Sequence, residues 1–115
     1  MTYKTKDSGA RKKFKSGMQR DIESDKPRYD LIYIPLLTEW ANLMARGAVK
    51  YNEDNWKKAN SVKELRRFKA SAWRHFIQFM EGKTDEAHHA AILFNIAGCR
   101  YVMDKLKVNI NGEKE

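Results

Sequence analysis

Residues 73–95, WRHFIQFMEGKTDEAHHAAILFN, constrain the fold more than any other stretch of this chain. They predict the end of one helix, a tight turn at Gly82-Lys83 and the start of a second, buried helix. Glycine suits the left-handed position just past a helix end. Thr84 suits the N-cap of the next helix, with Asp85 and Glu86 in its first turn near the positive dipole end. A link this short makes the two helices antiparallel. Counting outward at about 1.5 Å per residue sets Phe79 level with His88, His75 with Ile92 and Ala72 with Asn95.

His75 falls on the apolar stripe of Leu65, Phe68, Ala72 and Phe79. In the following helix Asp85, His88, Ile92 and Asn95 share one face, because their spacing matches the helical repeat. Two mostly apolar faces therefore aim His75, His88, Asn95 and Asp85 at one another. Buried polar groups cost a few kcal/mol each unless they are partnered. Either these residues satisfy one another in a hydrogen-bonded network, or they form a site.

With 115 residues, 42% of them hydrophobic and 11% aromatic, the chain is long enough for one domain with a modest core. No apolar run approaches the ~20 residues of a membrane span, and the basic N-terminus lacks the apolar segment of a signal peptide. A cytoplasmic location is expected. The single Cys99 can form no internal disulfide, which fits a reducing compartment. A net charge of +8 implies an anionic partner and leaves nucleotide, nucleic acid and acidic protein all open.

Residues 1–15 carry Lys4, Lys6, Arg11, Lys12, Lys13 and Lys15 with few large apolar side chains. They are expected to be a disordered basic tail, with contact to nucleic acid as the more specific alternative. The domain is expected to span residues 16–107, and residues 108–115 to be a frayed polar end. Pro27 disfavours helix at Lys26, so the KPRYDL segment should be extended. A first helix is predicted over 35–50, with Leu36, Leu37, Trp40, Leu43, Met44 and Ala48 on its apolar face and Pro35 acceptable at its start. Glu39, Arg46 and Lys50 edge that face, either as a solvated border or as one metal carboxylate and two phosphate contacts. The loop after it, ending in YNEDNW, should tuck Tyr51 and Trp56 onto the core, or present Trp56 to a base. Ser61-Val62-Lys63-Glu64 is a capping box that opens a second helix over 61–81. The third helix, over 85–107, is apolar on nearly every side and should be central or covered by a second subunit. No strand pattern is visible. The fold class expected is all-α, a bundle of three main helices with a central apolar helix, completed by oligomerisation to a dimer or higher.

The chain has no nucleophile elbow, Gly-rich phosphate loop, CxxC pair or HExxH motif. Adjacent helix residues diverge by about 100°, so His88 and His89 do not readily share a metal. A zinc site from His75, His88 and Asp85 is one geometric alternative. Hard cations want oxygen ligands. Glu81, Asp85 and Glu86 lie near the helix turn, with Glu39 as a fourth carboxylate from the first helix. Mg²⁺ held there beside Lys50 and Arg74 would suit a triphosphate.

The segments SGMQRD, KPRYDL, GAVKYNEDNW, WRHFIQFMEGKTDE and HHAAILFN, in this order, resemble the phage-associated dATP/dGTP diphosphohydrolase family, relatives of the MazG-like all-α nucleotide pyrophosphohydrolases. The likeness spans about residues 16–104. It implies an oligomeric enzyme, dependent on Mg²⁺ (or Mn²⁺), that cleaves a deoxypurine triphosphate to the monophosphate and pyrophosphate. By matching position, Lys50, Tyr51, Asn55 and Trp56 would bind the nucleotide. Arg74, His75, Asp85, His88 and Asn95 would line the active centre, with His75, Asp85 and His88 catalytic and Arg74 and Asn95 on the substrate. Glu39, Glu81 and Asp85 would hold the metal. The paired ExxE and ExxD motifs of typical MazG-like enzymes are missing: Glu39 has no acidic residue three positions away, and Asp85 is followed by His88 at that spacing. The alternatives are a phage protein that binds or sequesters nucleotides without hydrolysis, and a nucleic-acid-binding accessory protein that uses the basic tail.

Overall fold

A computed structural model describes residues 3–22 and 25–114. The chain divides into two compact units, Met1–Ile32 and Tyr33–Glu115. The second unit is the helical one. Its helices are α1 (Ile34–Tyr51), α2 (Val62–Met80) and α3 (His88–Leu106).

Pro35 sits in the first turn of α1, where a missing N–H costs nothing. The helix ends where Asn52 and Asp54 take positive φ angles of 76° and 58°, a region that Asn and Asp tolerate better than most residues. A 3-10 turn over Asn55–Lys58 follows. The capping box forms as expected at the start of α2. The Ser61 hydroxyl accepts from the Glu64 N–H at 3.2 Å, and the Glu64 carboxylate accepts from the Asn60 N–H at 3.0 Å.

Gly82, at φ 79°, ends α2 as expected. The Lys83 N–H reaches the Gln78 carbonyl at 3.1 Å and the Gly82 N–H reaches Phe79 at 3.0 Å, the paired bonds of a Schellman motif. The next helix departs from expectation. Thr84 caps nothing, and α3 begins only at His88, after Ala87. The Asp85 carboxylate is taken by the His88 ring. Non-helical residues advance up to about 3.3 Å each against 1.5 Å in a helix. The segment before His88 therefore carries the chain back along α2, and His88 comes to rest beside His75, not level with Phe79.

The apolar α3 is central, packing against both α1 and α2. Ala59, Leu65, Cys99, Val102 and Val108 form the buried core, with Phe68, Met103 and Leu106 against it. Ala90, Ala91 and Gly98 are buried on α3, and Gly98 keeps its surface thin where the Phe68 ring of α2 crosses. Burial raises the Cys99 thiol pKa above its ordinary value. Among the described residues no helix is long and apolar enough to cross a membrane.

Residues 108–114 of the end expected to be frayed are instead folded, and Glu115 lies outside the described residues. Val108 is buried and pairs with Lys114 as an isolated bridge. The Asn109 N–H donates to the Glu113 carbonyl at 2.8 Å, and the Lys114 ammonium caps the Leu106 carbonyl at 2.8 Å. The apolar Val108 anchors a polar segment whose composition alone suggested disorder.

The first unit holds a small antiparallel hairpin of β1 (Arg11–Lys13) and β2 (Gln19–Asp21), with Lys12 opposite Arg20. No strand pattern is visible in these residues, and Arg11–Lys13 fall in the segment expected to be a disordered tail. The strands alternate no apolar residues, and their register comes from polar anchors: Ser8 hydrogen-bonds Asp21, and Arg11 pairs with Asp7 at 2.7 Å. Tyr29–Leu31 form a 3-10 turn in place of an extended segment, beside an ion pair of Arg28 and Asp30 at 2.8 Å.

The close approach of α2 and α3 yields a direct prediction. A Cβ at Gly98 would lie 2.5 Å from two Phe68 ring carbons, while a Cβ at Gly47 meets nothing within 4 Å. Gly98→Ala should lower unfolding stability by about 1–3 kcal/mol. Gly47→Ala should raise it by up to about 1 kcal/mol through helix propensity. Urea denaturation of the two variants checks the contrast.

Candidate active site

The site is built at two places along the α2–α3 pair. The first is a chain of polar contacts at the α3 N-terminus. His75 and His88 come from facing helices, and their Nδ1 atoms stand 2.9 Å apart. On its other side the His88 Nε2 lies 2.8 Å from the Asp85 carboxylate. The His88 side chain is 1% exposed and that of Asp85 67% exposed.

The hydrogen bond from His88 holds the Asp85 carboxyl below its ordinary pKa, so Asp85 is ionised at neutral pH and can only accept. The Nε2 of His88 therefore carries a proton. With one proton on the ring, its Nδ1 presents a lone pair toward His75. The His75 pKa is lowered, first by burial and then by the positive Arg74 beside it, with Glu86 and Asp85 pulling the other way. His75 is thus a neutral imidazole facing a lone pair.

The second place is a cavity of about 670 Å³ between the C-terminal half of α1, the loop after it, the start of α2 and Phe94 of α3. Leu43, Met44, Ala48, Trp56, Phe68 and Phe94 supply apolar walls. Tyr51, Asn55, Glu53, Asp54, Lys58 and Arg67 bring polar groups to the same lining. Trp56 serves both readings open to it. Its ring packs edge-on against Phe94 and Tyr101, at centroid distances of 6.1 and 5.1 Å, and it also lines the cavity. Phe68 precedes His75 by two helical turns, so the two places lie about 10 Å apart along α2.

The expected residues divide accordingly. Tyr51, Asn55 and Trp56 line the cavity, and Lys50 stacks over the Tyr51 ring at 5.0 Å. His75, His88 and Asp85 gather at the hairpin, with Arg74 next to them. Asn95 is buried but donates to the Ala91 carbonyl of its own helix at 2.8 Å, satisfying itself locally. The expected metal carboxylates do not converge. Glu39 binds His89, which points toward α1 while His88 points toward α2. Glu81 pairs with Lys83 at 3.4 Å. Among the described residues the group whose donor atoms come within 4.8 Å of one another is His75, Glu86 and His88. Two imidazole nitrogens and one carboxylate do not suit resident Mg²⁺, which wants an octahedron of oxygens. Glu53, Asp54, Lys58 and Arg67 were not singled out from sequence, since a polar loop and a helix edge carry no periodic signal.

An all-α domain with a nucleotide-sized cavity beside a buried polar cluster fits the nucleotide hydrolase class that the sequence resembles. The chain belongs to the family described as dATP/dGTP diphosphohydrolase, N-terminal, whose profile matches residues 16–110. No curated protein and no solved structure matches it.

Protonation of His75 should be visible in stability. Its folded pKa lies below the unfolded value near 6.5, so the unfolded chain binds the proton first. Stability is complete above pH 6.5 and falls as pH drops through the unfolded value toward the folded one. Urea midpoints of wild type in chelator-treated buffer should decline between about pH 7 and pH 5, and His75→Gln should flatten that part of the profile.

Proposed function

We propose that this protein hydrolyses deoxypurine nucleoside triphosphates of the dATP/dGTP type, releasing the nucleoside monophosphate and pyrophosphate. The family supports a diphosphohydrolase of this kind. The observation that carries the reading in this chain is the aromatic-walled cavity joined along α2 to the His75–His88–Asp85 chain.

The base enters the cavity between Trp56, Phe68 and Phe94, where an apolar slot with a polar lip suits a purine ring. Tyr51 and Asn55 offer hydrogen bonds, and Lys50, Lys58, Arg67 and Arg74 supply positive charge for the phosphates. Mg²⁺ (or Mn²⁺) arrives bound to the triphosphate as part of the substrate, since the carboxylates expected to hold it do not gather. In the reaction the oxygen of a water molecule attacks the α-phosphorus and gives up a proton to the solvent. The bond from that phosphorus to the bridging oxygen breaks, and pyrophosphate leaves with the electron pair. His75, His88 and Asp85 position that water, with Asp85 acting through His88.

A screen of natural deoxynucleoside and ribonucleoside triphosphates with Mg²⁺, read as pyrophosphate release, tests this. Turnover should favour dATP or dGTP. His88→Ala and Asp85→Ala should lower kcat by about 10²- to 10⁴-fold, and Trp56→Ala should act mainly on KM. Nucleotide-dependent thermal stabilisation without turnover of any triphosphate would select the sequestering reading instead.

The enzyme is further proposed to work as a homo-oligomer. Trp73, Phe76, Ile77 and Met80 form an i, i+3, i+4, i+7 stripe on α2 and stand 60%, 42%, 49% and 65% exposed. A stripe of this spacing is self-complementary with a second copy of the same helix. Sedimentation should find a dimer or larger species, and Trp73→Glu should shift it toward the monomer.

A further inference from the structure

We propose that His75, His88 and Glu86 form a binding site for one borderline-soft divalent transition metal ion, with Zn²⁺ or Co²⁺ as the natural occupants and Asp85 as the group that orients His88. The inference concerns the metal that these side chains select, and it does not need the hydrolase reading.

Three observations bear on it. The first is convergence: one nitrogen from each ring and one carboxylate oxygen, from α2, the linker and α3, lie within 4.8 Å of one another. A tetrahedral ion with bonds near 2.0–2.1 Å keeps its donors about 3.4 Å apart. The Nδ1 pair, at 2.9 Å, needs to open by only a fraction of an ångström, while the exposed Glu86 side chain swings inward. The second is orientation. Asp85 holds the His88 Nε2 at 2.8 Å, the carboxylate–histidine arrangement that fixes the tautomer and frees the opposite nitrogen for a metal.

The third observation concerns what a simple hydrogen bond leaves unexplained. A proton shared between the two Nδ1 atoms accounts for their contact. It does not account for the Glu86 carboxylate, which lies within 4.8 Å of a nitrogen on each ring. Nitrogen-rich donor sets favour the later first-row ions over Mg²⁺. His89 takes no part, since its ring is engaged by Glu39 and lies against Phe79 at a centroid distance of 5.9 Å.

The test uses the full chain, stripped with a chelator and titrated with ZnCl₂ and CoCl₂. Calorimetry should find one Zn²⁺ per chain, and Co²⁺ should give the intense visible bands of a tetrahedral site. Zinc X-ray absorption on wild type should show two imidazole nitrogens with oxygen in the remaining positions. His75→Gln and His88→Gln should abolish the site, Asp85→Asn should weaken it about 10- to 100-fold, and His89→Gln should leave it unchanged. The proposal is overturned if wild type takes up no Zn²⁺, if the absorption spectrum lacks the two imidazoles, or if the histidine variants keep wild-type affinity. Should either variant fail to fold, the wild-type spectrum decides alone. Turnover is not the readout, so a negative result leaves the proposed hydrolysis standing.

Discussion

Everything in the helical unit depends on how closely α3 can lie against α2. Gly98 removes a side chain where the Phe68 ring crosses, and the small Ala90 and Ala91 are buried nearer the start of α3. The core they close is small, with Leu65 and Val102 fully buried at its centre. Close packing at one end of the helix pair brings the other end into register. There two imidazole rings meet across the interface at 2.9 Å, where longer apolar residues would hold the helices apart. The polar cluster is thus a consequence of the same helix separation that makes the core.

The placement of His75 and His88 explains why neither is inert packing. Burial removes water from both rings and drives His75 toward its neutral form, while the exposed Asp85 reaches in from the linker to hold His88. A buried ring pair touching an ionised carboxylate has its protons and lone pairs assigned by its neighbours. The cavity lies about two helical turns away, and it is lined by a different set of elements. The apolar cavity and the charged cluster are therefore separated along α2, and a ligand that uses both must be extended.

Much of this was legible in the sequence, and the failures have physical causes. The helix hairpin, the Ser61–Glu64 capping box, the Gly82 stop and the facing of His75 and His88 follow from helical periodicity and cap chemistry, whereas Asp85 reaches His88 from the linker and Asn95, expected in the same cluster, bonds its own helix. The start of α3 did not, because Asp85 had two competing partners, a backbone N–H and an imidazole, and only tertiary structure decides between them. The β1–β2 hairpin was invisible because its register is set by Ser8, Asp7 and Asp21 rather than by apolar alternation. Val108 gave too little signal to reveal that the last polar residues fold back. The metal carboxylates failed to gather because Glu39 and Glu81 found closer partners in His89 and Lys83, while Glu86, not its neighbour Asp85, is the carboxylate grouped with both rings.

The central claim is that Asp85 fixes the His88 ring so that its Nδ1 lone pair faces His75. Nitrogen-15 NMR of the imidazole rings in the metal-free protein measures this directly. The expected result is a His88 ring protonated at Nε2, with a scalar coupling across the Nδ1–Nδ1 hydrogen bond to His75 and a change of tautomer population in Asp85→Asn. A His88 ring protonated at Nδ1, with no coupling to His75 and no response to Asp85→Asn, would contradict it.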